Sequence, residues 1–146
     1  MTAHYTSKHG QVSKAPEELY MAFTDMRNFT QMAPESLKGS LYADFDNLRA
    51  TVQGFTIAVK VDERIPYRTI RIISTESPVE FVGVLNFEPG IIAGRTDFSI
   101  VVDLNLNFMM KTMLGGKIQQ ALDKAVDTLV DISEGKMPDV PEEFRH

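Results

Sequence analysis

Histidine and carboxylate side chains are the groups of this sequence that are best suited to acid–base or metal chemistry. The histidines are His4 and His9, near the N-terminus, and His146, at the other end. Side chains alternate between the two faces of a strand, so a spacing of five residues predicts that His4 and His9 point to opposite faces. The sequence has no cysteine, which excludes thiolate metal sites and a cysteine nucleophile.

Sequence motifs of known enzyme classes are also missing. We find no nucleophile elbow, no phosphate-binding loop and no dinucleotide fingerprint. We therefore assign no catalytic residue and predict neither a metal site nor a cofactor. Whether the chain is an enzyme stays open at this point, with the balance against it.

Composition predicts one acidic, soluble domain. The 146 residues carry 20 acidic and 15 basic side chains, a net charge of −5. This charge argues against a nucleic-acid partner and against an anionic membrane surface. No apolar run approaches the ~18 residues of a membrane span, and the N-terminus has no apolar signal segment, so we expect a cytoplasmic protein without stable membrane insertion. Residues 1–135 are predicted to form the domain, and residues 136–146 a loose tail.

Two short helices are predicted to follow a weak first strand at residues 4–12. Ser13 is a suitable N-cap, and Pro16 suits the first turn of the first helix. A second helix is predicted over residues 26–32. Pro34 ends it, because the residue before a proline is driven toward extended backbone.

Strict alternation replaces the helical repeat between residues 41 and 106, which predicts antiparallel strands joined by short turns. One set of alternating side chains is apolar, so one face of the sheet is expected to be buried and the other wet. The charged side chains of these strands fall on the wet face: Asp44, Lys60, Asp62, Arg71, Glu88, Asp97 and Asp103.

The last apolar segment, Phe108 to about Glu134, has the repeat of one long amphipathic helix. Its first turns carry a methionine cluster and a glycine pair: Met109, Met110, Met113, Gly115 and Gly116. Methionine is unbranched and polarizable, so it adapts to apolar ligands of different shapes. Glycine weakens a helix interior, so the pair indicates either a flexible first part of the helix or a helix that begins only at the second glycine.

A helix with an apolar stripe packs against the apolar face of a sheet. The space between them either closes as a dry core or stays open as a ligand cavity, and Gly83 favours the open alternative because it leaves out a side chain. The predicted cavity wall consists of Phe55, Ile57, Ile70, Ile72, Phe81, Gly83, Leu85, Phe98, Ile100, Val102, Met109, Met110 and Met113.

The order of elements and four local stretches resemble the START-like superfamily, also called SRPBCC, which has the helix-grip fold of the birch pollen allergen. The matching stretches are residues 12–20 (VSKAPEELY), 23–25 with 28–29 (FTD and NF), 66–72 (PYRTIRI) and 115–122 (GGKIQQAL), the last as in bacterial members. The resemblance implies an α+β fold, in which a curved antiparallel sheet of six or seven strands wraps around the long C-terminal helix. Two short helices are expected after the first strand.

The resemblance also implies a cavity between helix and sheet, because members bind or transport lipids, sterols and polyketides. Binding or carriage of a small hydrophobic ligand, lipid-like or polyketide-like, is therefore the leading hypothesis. A polyketide cyclase or dehydratase of the same fold is the alternative. It requires a polar group inside the cavity, which Arg95 or Tyr42 would supply if a bulge turned it inward.

A protein-interaction module with a filled core is the third hypothesis. The apolar pair Ile91-Ile92 lies in a loop, where it is expected to cover the cavity mouth, to contact a partner protein or to fold back on the sheet. A second copy of the chain is the other partner considered, through a wet-face patch of Ile73, Val82, Val84 and Val101.

Overall fold

The described part of the chain folds into eight antiparallel strands and three helices. The computed structural model describes residues 2–32, 39–52 and 54–135. The strands are β1 (Thr2–Thr6), β2 (Gly10–Val12), β3 (Leu41–Ala43), β4 (Asn47–Val52), β5 (Phe55–Ile65), β6 (Thr69–Glu76), β7 (Phe81–Pro89) and β8 (Thr96–Asn105). The helices are α1 (Pro16–Thr24), α2 (Arg27–Met32) and α3 (Phe108–Ser133). This is the predicted α+β helix-grip architecture, with eight strands instead of six or seven.

The strand order is β1-β8-β7-β6-β5-β4-β3, and β2 also pairs with β8. The predicted first strand is divided in two at Ser7. The Ser7 amide donates to the Ile100 carbonyl at 2.8 Å, while the Ile100 amide donates to the Ser7 hydroxyl oxygen at 2.8 Å. Because the serine hydroxyl replaces a backbone acceptor there, the regular backbone pairing with β8 stops after Thr6 and resumes at Gly10.

The break at Ser7 overturns the prediction that His4 and His9 face opposite ways. Nδ1 of His4 lies 2.6 Å from Asp103 Oδ1, and Nδ1 of His9 lies 2.6 Å from Asp97 Oδ1. Asp97 and Asp103 are six residues apart on β8 and so share one face of the sheet. Both histidines therefore lie on the outer, wet face, because strand alternation does not continue through the interruption.

A β-bulge in β5 changes which side chains point inward. Val61 pairs with Ile72 and Arg64 with Ile70, so β5 uses one residue more than β6 over the same length. The extra residue is Asp62, whose carboxylate forms an ion pair with Arg71 on the outer face. Beyond the bulge the alternation is inverted, and Arg64 therefore lies on the inner face, opposite Ile70.

The hydrophobic core lies between the inner face of the sheet, α1 and the second half of α3. Phe23 of α1 packs on Phe87 and Phe98, with ring centroids 6.0 and 5.6 Å apart. Val126 of α3 is fully buried in the same cluster. Gly10 lets α3 come close to the sheet, because a Cβ atom there would lie 2.6 Å from a Val130 methyl carbon.

The start of α1 differs from the predicted one. Its N-cap is Ala15, with extended backbone and no side-chain cap, and Pro16 occupies the first turn. The residues before it are held by other elements: the Thr96 hydroxyl donates to the Lys14 carbonyl at 2.7 Å, and Ser13 donates its amide to Glu134 at 2.5 Å. The prediction of Ser13 as the cap is therefore wrong.

The long helix begins and ends close to the predicted positions. Asn107 caps α3 by accepting from the Met110 amide at 2.8 Å, so the alternative of a helix that begins only at Gly116 is wrong. Gly135, with a φ of 82°, follows the last turn. The predicted stop at Pro34 and the predicted tail at 136–146 lie outside the described residues. Within the described part of the chain, no helix is long and apolar enough to cross a membrane.

Candidate ligand-binding groove

Directly opposite residues in an antiparallel pair point to the same face, so the pairing register defines the inner face. One row crosses five strands through Val61, Ile72, Gly83, Val102 and Tyr5. This row is apolar until it reaches Tyr5. This row therefore has the apolar character that the sequence predicts, with one hydroxyl at the β1 edge.

The predicted wall residues on the sheet fall into three classes of burial. Ile70, Gly83, Leu85, Phe98 and Ile100 are buried in or beside the core. Ile72, Phe81 and Val102 are half-buried. Phe55 and Ile57, on β5, are 59% and 41% exposed. The inner face thus changes from a closed core at one side to an uncovered apolar surface at the other.

The second half of α3 is fastened to the β1–β2 edge by polar contacts. The Gln119 side-chain amide donates to the Thr6 carbonyl at 2.8 Å, and the Lys8 amide donates to Asp123 at 2.7 Å. The Lys8 ammonium also pairs with Asp127 at 2.5 Å. These contacts, with the close approach at Gly10, place α3 over β1, β2 and β8.

The first turns of α3 are uncovered by comparison. Met109 and Met113 are 69% and 68% exposed, and Phe108 is exposed as well. Met110 is half-buried, as are Leu114 and Ile118 further along the same stripe. Of the three predicted methionines, the structure therefore turns only Met110 toward the protein interior. We call the space between these first turns and the half-buried inner face of β5–β8 the groove.

The glycines near the groove have different surroundings. A Cβ atom at Gly115 would lie 3.1 Å from the Tyr5 hydroxyl oxygen, whereas one at Gly116 would have no atom within 4 Å. Gly83 does not leave an empty space, because a Cβ there would lie 3.2 Å from Ile72 Cγ1. The room that the sequence assigned to Gly83 is therefore filled by the Ile72 side chain.

Four polar side chains on the inner face belong to residues that the structure describes: Tyr5, Arg64, Ser74 and Thr96. Thr96 donates to the Lys14 carbonyl, and Ser74 accepts from the Phe81 amide at 3.0 Å. The Tyr5 hydroxyl is buried and has no hydrogen-bond partner among the described residues. Buried polar groups are nearly always paired, so this one needs an explanation.

Arg64 is the charged side chain among these four. Its guanidinium does not face the groove but connects β5 with α1 and the β3–β4 turn. It donates to the Thr24 hydroxyl at 2.6 Å and to the Thr24 carbonyl at 2.7 Å. It also pairs with Asp46 at 2.7 Å, and its Cζ atom lies 4.4 Å from the centre of the Phe45 ring. Arg64 therefore fastens the end of α1 to the β3–β4 turn.

Tyr42 and Arg95, the residues considered for an inward turn, both stay outside. Tyr42 pairs with Arg49 on the outer face and is exposed, and Arg95 is exposed in the β7–β8 loop. The polar side chains that do point inward include Tyr5 and Arg64, neither of which was predicted to do so. The alternation of Ala3 and Tyr5 with their more polar neighbours could have indicated that Tyr5 points inward. No local pattern in the sequence marks the bulge that turns Arg64 inward.

The shifted pKa values lie in turns away from the groove. The side-chain hydrogen bond from Arg27 lowers the pKa of Asp25, and the side-chain hydrogen bond from Asn47 lowers the pKa of Asp44. Asp25 connects α1 to α2, and Asp44 forms the β3–β4 turn. Both carboxylates have a structural role. Among the described residues no group of three or more His, Cys, Asp or Glu side chains could hold a metal ion.

Two depressions lie elsewhere on the molecule. One of about 400 Å³ wraps around the end of β6–β8, where it takes side chains from both faces and includes Glu80 and Asp103. The other, about 320 Å³, lies between α1 and the last turn of α3 over Leu19, Ala22 and Phe23. The first is open and partly polar, so it is a poor container for an apolar molecule. The second is the main competitor of the groove.

The Ile91-Ile92 loop and the apolar patch on the wet face both lie where the sequence predicts them. Ile91 and Ile92 project from the β7–β8 loop, and Ile91 is fully exposed, so the alternative in which this pair folds back on the sheet is wrong. The wet-face patch is half-buried in the single chain and consists of Ile73, Val82, Val84 and Val101.

Comparison with known proteins shows the fold. No family model matches the sequence. No curated protein sequence matches it either. Truncated norcoclaurine synthase from Thalictrum flavum is similar in structure, with a TM-score of 0.71 and 10% identity over 90% of this chain and 93% of that one. A protein from Bacillus cereus has a TM-score of 0.67 and 10% identity over 99% of both chains. The chain therefore has the helix-grip fold of these structures.

Proposed function

We propose that this START-like chain binds a small apolar molecule in the groove between the first turns of α3 and the inner face of β5–β8. The observation that carries the proposal is the uneven packing of α3. Its second half packs on the core through the buried Val126 and the partly buried Leu122 and Leu129, while its first turns leave apolar side chains uncovered beside an apolar sheet surface. Exposed apolar surface of this extent costs free energy in water, and a ligand that covers it recovers that cost.

The groove residues are the predicted wall residues that remain accessible: Phe55, Ile57, Ile72, Phe81, Val102, Met109, Met110 and Met113. Methionine and isoleucine side chains offer dispersion contacts without fixing one ligand shape. Carriage of a lipid-like or polyketide-like molecule fits this lining. Ile70, Leu85, Phe98 and Ile100 support the wall from behind as core residues.

The similarity to solved structures supports the binding of a small molecule. A point mutant of norcoclaurine synthase from Thalictrum flavum, with a TM-score of 0.67 and 9% identity, was determined in complex with a transition-state analogue. This shows that a protein of similar fold holds a small molecule. For this chain we propose the binding and assign no reaction, because fold does not fix chemistry.

A fluorescence titration with the neutral apolar dye N-phenyl-1-naphthylamine tests the proposal. Ile57→Gln and Met110→Gln each place a side-chain amide in the groove. We expect each to weaken dye binding about tenfold, because the bound dye would cover the amide without offering it a hydrogen-bond partner. Ile91→Gln is the matched control, because Ile91 is exposed on a loop outside the groove. It should bind the dye as the wild type does.

A second control separates the groove from the depression between α1 and α3. Ala22→Phe fills that depression, whose floor includes Ala22. We expect unchanged dye affinity in this variant, provided that its circular dichroism spectrum matches the wild type. Loss of binding in Ala22→Phe, with binding retained in Ile57→Gln and Met110→Gln, would place the ligand in the other depression. No saturable binding by the wild type would refute the proposed function.

A further inference from the structure

The Tyr5 hydroxyl stands apart from the other polar groups of the inner face. Thr96 and Ser74 bond to neighbouring backbone, and Arg64 is used by Thr24 and Asp46. Tyr5 alone among these four has a buried oxygen without a partner in the described part of the chain. A phenol both donates and accepts a hydrogen bond. A buried hydroxyl without a partner costs free energy, so this one indicates a partner other than the described residues.

The position of the hydroxyl connects it to the groove. Tyr5 ends the inner-face row that runs through Ile72, Gly83 and Val102, and its ring is half-buried. Its oxygen lies directly beneath Gly115, where any side chain would crowd it at 3.1 Å. The hydroxyl is thus at the border between the fastened part of α3 and its uncovered first turns.

The structure of α3 allows these first turns to move away from Tyr5. Among the described residues, the polar contacts between α3 and the β1–β2 edge begin at Gln119. Before that point the helix has two consecutive glycines in its interior, each less favourable than alanine by up to about 1 kcal/mol. An outward movement of the turns before Gly115 would leave the contacts of Gln119, Asp123 and Asp127 in place.

We propose that the Tyr5 hydroxyl is the hydrogen-bond donor of the groove, and that the ligand is an apolar molecule with a carbonyl oxygen, not a pure hydrocarbon. This inference rests on the proposed function. The apolar lining provides affinity for any ligand of suitable size, whereas the single donor distinguishes a carbonyl compound from its hydrocarbon analogue. A carbonyl oxygen gives the buried hydroxyl an acceptor and so gains a hydrogen bond, whereas a hydrocarbon leaves the hydroxyl as unpaired as it is in the free protein.

Two tricyclic probes of nearly equal shape test the inference. Fluorenone carries one carbonyl oxygen, and fluorene has a methylene group in its place. Both are titrated by displacement of N-phenyl-1-naphthylamine from the wild type, from Tyr5→Phe and from Tyr42→Phe. Tyr42 is the matched control, since it is an exposed tyrosine on the outer face. We expect the wild type and Tyr42→Phe to bind fluorenone about tenfold more tightly than fluorene.

The Tyr5→Phe variant should bind both probes with similar affinity, because only the affinity for fluorenone falls. Its urea midpoint should equal or exceed that of the wild type, since the lost hydroxyl had no partner. A lower midpoint with an equal loss for both probes would show a purely structural role. Equal wild-type affinities, or a preference that survives Tyr5→Phe, would refute the inference and leave the proposed function intact. Binding of neither probe would refute the proposed function itself.

Discussion

The hydroxyl oxygen of Tyr5 lies 3.1 Å from the position that a Cβ atom at Gly115 would occupy. This relationship joins the first strand to the long helix across more than 100 residues of sequence. A Cβ atom at position 115 would crowd this hydroxyl, whereas one at Gly116, one residue later, would have no described atom within 4 Å. The two adjacent glycines therefore have different physical roles, which mutation distinguishes.

Alanine at these two positions should have different effects on stability. Gly116→Ala should stabilise the protein by about 0.5–1 kcal/mol, because alanine favours a helix interior and meets no neighbour here. Gly115→Ala should gain less or destabilise, since its Cβ crowds the Tyr5 hydroxyl. In a Tyr5→Phe background the full gain should return. Urea unfolding of the single and double variants measures the coupling, and equal gains for both alanines in the wild-type background would contradict it.

Gly10→Ala should destabilise the contact between β2 and α3. The added Cβ would lie 2.6 Å from Val130 Cγ2 and 2.8 Å from Val126 Cγ1, and Val126 is fully buried. Overpacking of this kind costs about 1–3 kcal/mol. Gly39→Ala is the control, because a Cβ at Gly39 has no atom within 4 Å. Thermal unfolding should show a lower midpoint for Gly10→Ala alone.

Arg64→Ala should destabilise the junction between α1 and the β3–β4 turn. It removes the hydrogen bonds to both Thr24 oxygens and the ion pair with Asp46, and we expect a loss of about 2–3 kcal/mol. Arg64→Lys keeps the charge but not the planar fork, so it should recover only part of the loss. Arg68→Ala breaks an exposed pair with Glu88 at 3.8 Å and should change stability by less than about 1 kcal/mol. Equal losses for Arg64→Ala and Arg68→Ala in urea unfolding would contradict this role.

The β3–β4 turn should respond to acid through Asp44. The Asn47 side-chain hydrogen bond holds the pKa of Asp44 below its ordinary value, with help from the Asn47 and Asp46 amides. A pKa that is lower in the folded than in the unfolded state adds stability above the unfolded value, about 3.9. That stability is lost as the pH falls through the folded pKa. Asp44→Asn, which does not titrate, should therefore differ most from the wild type at neutral pH.

Urea midpoints of the wild type and Asp44→Asn between pH 7 and pH 3 measure this effect. The difference between the two proteins should shrink in acid, because the protonated Asp44 also loses its charged hydrogen bonds. A difference that stays constant down to pH 3 would show that the Asp44 carboxylate contributes no pH-dependent stability.

Much of the fold follows from local sequence patterns. The alternation between residues 41 and 106 predicts an antiparallel sheet with one apolar face, and the helical repeat from Phe108 predicts α3 nearly to its last residue. These patterns are local, because strand and helix geometry repeat every two and 3.6 residues. Within strands without interruption, the predicted face of each side chain was therefore correct, as for Ile72 and Val102.

Departures from regular geometry were decided by tertiary structure. One extra residue in β5 inverts the alternation and turns Arg64 inward. At Ser7 the side-chain hydroxyl, instead of a backbone carbonyl, accepts from the Ile100 amide, and the interruption there puts His4 and His9 on the same face. Neither the bulge nor the break at Ser7 changes the pattern of apolar residues around it, so neither can be read from the sequence. Alternation carries no information about such interruptions, since a shift of one residue moves every following side chain to the other face.

The candidate site depends both on local sequence patterns and on tertiary contacts. Sequence determined that the surfaces of α3 and of the sheet are apolar, and it singled out the methionines and the glycine pair. Only the tertiary structure decided that α3 is fastened by its second half, that Met109 and Met113 stay uncovered, and that Gly115 lies over Tyr5. The physical reason is that periodicity fixes which side of an element is apolar, whereas contacts between residues far apart in sequence fix what that side covers.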